Sequence, residues 1–204
     1  RPDPAGRAGG RDGGHPSREL LAVTTLVFLG AYTLYTYVGP ALREATGGSG
    51  PLFAAVLTAW GVGVLTGNIV AGRLVDRYDP AHVLTWPLAV AVVMLALTPV
   101  ATAALVPTLA WAAVWGVALG VVVVPQQHRL IALGPATAPV LLGLNSSAVY
   151  LGMALGGGLG GLAQEWFAVV PAVLGLPAAG VTAVALLCHL TTARRRAPAV
   201  PRPS

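Results

Sequence analysis

Eleven of the twelve arginines in this chain fall in alternate gaps between six apolar stretches, and no lysine is present to blur the pattern. The stretches cover residues 20–40, 52–71, 83–100, 105–124, 138–162 and 168–190. Each has about the 20 residues that a helix needs to cross a hydrocarbon layer ~30 Å thick. Arg1, Arg7, Arg11 and Arg18 precede the first stretch, and Arg73 and Arg77 separate the second from the third. Arg129 separates the fourth from the fifth, and Arg194, Arg195, Arg196 and Arg202 follow the sixth. The other gaps hold only Arg43 beside Glu44, and the lone acid Glu165. Short arginine-bearing loops stay on the cytoplasmic side. The pattern therefore predicts an all-α membrane protein with six transmembrane helices and both termini in the cytoplasm.

Composition narrows the function classes. The chain is 55% hydrophobic and 9% charged, which leaves no stretch for a soluble domain. A net charge of +5 would suggest nucleic acid in a soluble protein. Here the arginines are sorted by topology and no basic stretch is interleaved with aromatics, so no nucleic-acid partner is expected. Cys188 is the single cysteine, which excludes an internal disulfide and a CxxC metal site. Neither a metal nor a cofactor is expected.

Residues 1–18 are rich in Gly, Pro and Arg without an apolar period, and read as a flexible cytoplasmic linker. Residues 19–192 then form the six-helix bundle, and 193–204 a basic cytoplasmic tail. The first residue is not methionine, and the first apolar stretch is too long for the core of a signal peptide. The chain is therefore expected to be cut from a longer one. The bias toward Ala, Gly, Val and Leu suggests a bacterial source. Long apolar runs then mean the cytoplasmic (inner) membrane, because outer-membrane proteins are barrels.

Particular spans carry particular residues. The first has a semi-polar stripe of Thr25, Tyr32, Tyr35 and Gly39 at helical spacing. Pro40 is expected to end it, with a short polar turn over 41–50. The second carries Trp60, Gly61, Gly63, Gly67, Asn68 and Gly72. The fourth carries Trp111 and Trp115 on one face and is expected to end at Pro125, with Gln126–Arg129 as a polar exit. The fifth reads Asn145-Ser146-Ser147 followed by two GxxxG frames, Gly152/Gly156/Gly160 and Gly157/Gly161. Such small faces let helices approach closely in lipid. The third and sixth are bland and are expected to face lipid. His128 reads as a topology element and His189 as an interface residue. No Asp, Glu, Lys or Arg is expected deep in any span.

The loop Gly72-Arg73-Leu74-Val75-Asp76-Arg77 resembles the signature loop of the major facilitator superfamily, although its continuation, Asp79-Pro80-Ala81-His82, departs from the family pattern. The fifth span, with Pro125–Leu130 before it, resembles the eleventh helix of arabinose-efflux and chloramphenicol-resistance type antiporters. The resemblance covers essentially residues 19–192. It implies the C-terminal half of a twelve-helix transporter, built as two three-helix inverted repeats, with an N-terminal six-helix half as partner. It further implies a small drug-like or sugar-like substrate and proton-coupled efflux by alternating access. On that alignment the first and fourth helices line the substrate cavity, with Tyr32, Tyr35, Trp111 and Trp115 as candidates alongside Asn145 and Ser146. The second and fifth helices pack on the partner half through their glycines. Gly72, Arg73, Asp76 and Arg77 form a gating loop, with Asp76 expected to pair with Arg73 or Arg77 and to face a helix N-terminus of the partner.

Two other classes compete. One is an intramembrane serine protease with Ser146 or Ser147 as nucleophile and His189 as base. The serines lack the expected Gly-x-Ser-Gly context. The other is a non-catalytic membrane subunit that binds a partner through the glycine-rich helix. No catalytic residue is assigned.

Overall fold

The computed structural model describes residues 14–196, all of their regular structure helical. Six long helices carry the bundle: α1 (Gly14–Tyr35), α4 (Gly50–Val75), α5 (Pro80–Ala96), α7 (Leu105–Ile131), α8 (Ala138–Phe167) and α9 (Gly175–Arg196). Three one-turn helices join them, α2 (Val38–Ala41), α3 (Arg43–Thr46) and α6 (Thr98–Ala101). α1 already begins at Gly14, within the stretch read as linker, and α9 runs on to Arg196, within the stretch read as tail. The rest of that linker and tail lies outside the described residues.

Prolines set several of the boundaries. A proline removes an amide donor and its ring displaces the carbonyl four residues earlier. Pro40 acts in this way on Thr36, so α1 stops at Tyr35, five residues before the expected end. The polar turn that follows folds into α2 and α3, closed by Gly47 and Gly48 at positive φ. Pro99 acts on Leu95 and ends α5. The carbonyl of Leu95 instead accepts the Thr98 hydroxyl at 2.7 Å. That of Met94 accepts the indole N–H of Trp111 at 2.7 Å. Pro125 does not end its helix: α7 runs on to Ile131 and draws Gln126 and Arg129 into the bundle.

By length and composition, four described segments can cross a membrane: Gly50–Val75, Leu105–Ile131, Pro135–Phe167 and Pro171–Arg194. The other two long helices fall short for identifiable reasons. α1 carries the charged pair Arg18 and Glu19 near its start. α5 is only 17 residues long before Pro99 intervenes.

The five principal contacts are α4 with α7, α1 with α8, α1 with α9, α5 with α7, and α5 with α9. This set maps onto itself when α1, α4 and α5 are exchanged for α7, α8 and α9. Because the helices alternate in direction, the exchange also reverses the axis. The core joins Val27, Leu34, Leu84, Leu88, Trp115 and Val122 from three helices, α1, α5 and α7. α4 and α8 stand at the margins and expose Leu65, Ile69, Leu144 and Leu155. The Arg73, Arg129 and Arg194 ends of α4, α7 and α9 share one end of the bundle, called here the basic end.

Candidate substrate cleft and buried polar network

Where α1, α7 and α8 meet toward the basic end, a cleft of about 210 Å³ opens. Thr24 and Phe28 come from α1, Gln126 and Gln127 from α7, and Asn145, Ser146 and Tyr150 from α8. Helical periodicity brings them together. Thr24 and Phe28 are four residues apart on α1, and Ser146 and Tyr150 are four apart on α8, so each pair shares a face. Asn145 is 6% exposed and Gln126 2%, so both are held from behind while touching the cleft. Ser146 is exposed, and its hydroxyl bonds back to the Leu142 carbonyl at 3.2 Å.

Behind the cleft runs a continuous hydrogen-bonded chain. Thr24 Oγ1 donates to Asn145 Oδ1 at 2.9 Å. Gln126 Nε2 donates to Thr24 Oγ1 and to the Leu20 carbonyl, both at 3.0 Å. Gln126 Oε1 accepts from Arg129 Nη1 at 3.3 Å. The same Nη1 lies 3.1 Å from His189 Nδ1, and His189 Nε2 lies 3.0 Å from the Ala81 carbonyl and from Thr85 Oγ1. A guanidinium only donates and a carbonyl only accepts. These neighbours therefore assign the Nε2-protonated tautomer to His189. The chain ties α8 to α1, α7, α9 and α5, leaving out only α4 among the long helices.

Two histidine and arginine readings change accordingly. His189 is fully buried rather than an interface residue, and Arg129 is 7% exposed within α7 rather than in a loop. A charged group therefore does enter a span-forming helix, next to its basic end. His128, by contrast, is exposed.

Toward the other end, the aromatic candidates form one cluster. Ring centroids are 5.3 Å apart for Tyr32–Tyr35, 4.6 Å for Tyr35–Trp60, 6.1 Å for Trp60–Trp115 and 5.1 Å for Trp111–Trp115. Tyr32 and Tyr35 are half-buried, but Trp111 and Trp115 are 4% and 1% exposed. These two tryptophans are core, not an open cavity wall, because α4 and α5 cover them. Trp60, which sequence reasoning left off the site, stacks on Tyr35, and its buried indole N–H has no hydrogen-bond partner among the described residues.

The glycines divide by what a methyl group would meet. At Gly152, Gly156 and Gly160 an added Cβ would come within 2.5 Å of the carbonyls of Thr25, Leu29 and Thr33 on α1. Gly63 and Gly67 press on the α7 backbone, and Gly116 and Gly120 press on α4. These glycines are therefore used inside this bundle, not against a partner half as expected. The second frame is looser: Gly157 faces the Thr36 side chain and Gly161 the hydroxyl of Tyr37. Tyr37 in turn donates to the Gly157 carbonyl at 2.9 Å.

In the signature loop, Gly72 and Arg73 lie in the last turn of α4 and Asp76 caps it. Arg73, Asp76 and Arg77 are exposed. Among the described residues Asp76 forms no ion pair with Arg73 or Arg77, so the pairing expected from sequence is not made. An added Cβ at Gly72 would meet nothing within 4 Å.

No family model matches the chain. It is 34% identical over 180 residues to the inner membrane transport protein YdhP of Escherichia coli O157:H7, covering 85% of this chain and 44% of that one. It is 30% identical over 142 residues to the uncharacterized MFS-type transporter YbcL of Bacillus subtilis, covering 69% of this chain and 36% of that one. The match to YtbD, a second uncharacterized MFS-type transporter of B. subtilis, is 30% over 154 residues and covers 72% and 38%. The chain belongs to the MFS-type transporter family. It spans less than half the length of these relatives. The relatives are named as transporters, which argues against the serine-protease reading of Ser146, Ser147 and His189. The kinship also accounts for an all-α chain whose outer faces are apolar.

Proposed function

We propose that the chain is the C-terminal half of a membrane transporter that works by alternating access. The reading is carried by the cleft between α1, α7 and α8, which presents Asn145, Ser146 and Gln127 within an otherwise apolar bundle. Complete small-molecule sites measure ~300–1,000 Å³. The cleft is smaller, as one wall of a site shared with an N-terminal half would be. The exchange symmetry of the helix contacts supports two three-helix inverted repeats, an arrangement that places substrate near mid-membrane. Tyr32, Tyr35 and Trp60 extend this wall toward the other end, and Trp111 and Trp115 support it from behind.

The gating-loop reading rests on exposure. Gly72 has room for a side chain in this half, so its small size serves a neighbour outside it. Asp76, free of pairing to its neighbouring arginines, is available to a helix N-terminus of the partner. The names of the relatives support transport and, through YdhP, the bacterial inner membrane. Arginine sorting supports a cytoplasmic basic end and cytoplasmic termini. Proton coupling, efflux and a drug-like or sugar-like substrate follow from the resemblance to arabinose-efflux and chloramphenicol-resistance antiporters. The coupling acids are expected in the N-terminal half, because no described acid lies in mid-span here.

The test is efflux measured in inverted membrane vesicles with this chain joined to an N-terminal six-helix half. Labelled arabinose and ethidium serve as probes under an imposed proton gradient. Accumulation should require both halves and should collapse when the gradient is dissipated. Accumulation without the N-terminal half would contradict the half-transporter reading. Insensitivity to the gradient would contradict proton coupling alone. Orientation is read separately with Arg77→Cys in a Cys188→Ala background: a membrane-impermeant thiol reagent should label it only from the cytoplasmic side.

A further inference from the structure

A second cavity is larger than the cleft. It lies at the basic end between α5, α7 and α9 and measures about 1010 Å³. The substrate reading leaves it unused, since the two linings share no residue. We propose that it binds the headgroup and upper acyl chain of an anionic phospholipid.

Charge is the first argument. Arg129 and Arg194 line the cavity together with His82 and His128. The single acid among its lining residues, Asp79, spends one carboxylate oxygen capping α5, accepting the Ala81 N–H at 2.6 Å. With both histidines neutral the lining still carries a net positive charge, from two arginines against one carboxylate. A phosphate diester is the matching ligand, because arginine offers planar, paired donors to phosphate oxygens.

Shape and polarity choose a lipid over a soluble anion. Beside the cationic groups the walls are apolar, with Trp86, Leu133 and Leu190 among them. Trp86 is 40% exposed. Tryptophan at the end of a membrane helix marks headgroup depth. A free phosphate would leave this apolar wall uncovered, whereas an acyl chain covers it. Basic pockets between membrane helices on the cytoplasmic side are recurrent sites for anionic headgroups. Arg129 gives the site rigidity, because Gln126 and His189 hold its guanidinium from the other side. The occupied cavity would therefore bridge α5, α7 and α9 at the point where the buried network ends. This rests on membrane insertion, not on the transport reading, so either can fail without the other.

The experiment uses the full chain in neutral detergent. Native mass spectrometry counts bound dioctanoyl phosphatidylglycerol and dioctanoyl phosphatidylcholine, with and without inorganic phosphate. One phosphatidylglycerol should bind at least tenfold more tightly than phosphatidylcholine. Arg194→Ala changes an exposed position and should leave the bundle intact. It should weaken phosphatidylglycerol about fivefold, the effect of one arginine near a lipid surface, and leave phosphatidylcholine unchanged. His82→Ala combined with His128→Ala, both exposed, should weaken it less than Arg194→Ala does. Equal binding of the two lipids, or an unchanged phosphatidylglycerol affinity in Arg194→Ala, would overturn the proposal. Displacement by inorganic phosphate at equal concentration would overturn it too, by making the cavity a soluble-anion site.

Discussion

His189 is where local sequence says least and the structure says most. A histidine near the end of an apolar run, followed by arginines, looks like a residue at the water boundary. In the bundle it is fully buried and joins partners 60 and 104 residues away, Arg129 and Thr85. No window along the chain displays such a triad, because the three residues come from three helices. Its loss has a predictable consequence. His189→Ala removes the acceptor facing Arg129 Nη1, and hydrogen bonds to charged groups contribute ~1.5–3 kcal/mol. Thermal unfolding in detergent should show a loss of about 2 kcal/mol. His128→Ala, at an exposed neighbouring position, should stay within ~0.5 kcal/mol. Equal losses would mean the network is not holding the helices. Asn145 behaves differently because only one of its groups is committed. Its carbonyl accepts from Thr24 and the residue lines the cleft, so Asn145→Ala should cost ~0.6–2 kcal/mol and should depress transport more than membrane abundance.

At the scale of elements, periodicity and proline chemistry were legible to different degrees. All six apolar stretches form helices, since each buries a face while keeping its backbone bonds internal. Pro40 and Pro99 break their helices as expected of an interior proline. Pro125 is tolerated, and that one difference moves Gln126 and Arg129 from a loop into the core. The glycine faces were visible as GxxxG spacing, but spacing does not name the helix that fills the groove. The partner of Gly152, Gly156 and Gly160 is α1 of the same chain. Gly156→Ala should therefore destabilise this bundle itself, by about 1–3 kcal/mol, the range for overpacking. Gly158→Ala meets nothing within 4 Å and should be neutral or slightly stabilising. Unfolding of the two variants, measured side by side, separates packing from glycine content. A Gly156→Ala variant as stable as Gly158→Ala would contradict the α1–α8 contact.

For the whole molecule, hydropathy gave an all-α membrane protein, while the pairing of helices needed coordinates. The two triplets share no similarity visible by eye, yet their contacts exchange, because the packing rule is small residues against backbone and not any particular sequence. The aromatic stripe was legible as a stripe. Its division into a half-buried part, Tyr32 and Tyr35, and a core part, Trp111 and Trp115, was not, since helices distant in sequence decide which face is covered. The proposed role of the Asp76 loop belongs to this scale, as its carboxylate would act against a second half. A helix N-terminus contributes ~0.3–1 kcal/mol to a nearby anion. Asp76→Asn in the joined transporter should lower transport a few-fold with membrane abundance near normal. Wild-type transport would reduce the motif to a topology loop.

The central claim is that the α1–α7–α8 cleft is a water-facing wall for substrate, and thiol accessibility tests it directly. Ser146→Cys and Trp115→Cys are made separately in a Cys188→Ala background, with the N-terminal half joined. A water-soluble, membrane-impermeant thiol reagent is applied to inverted vesicles. The account predicts rapid labelling at position 146, slowed by transported substrate, and no labelling at position 115. An unreactive cysteine at 146, or one whose labelling substrate does not slow, would contradict it.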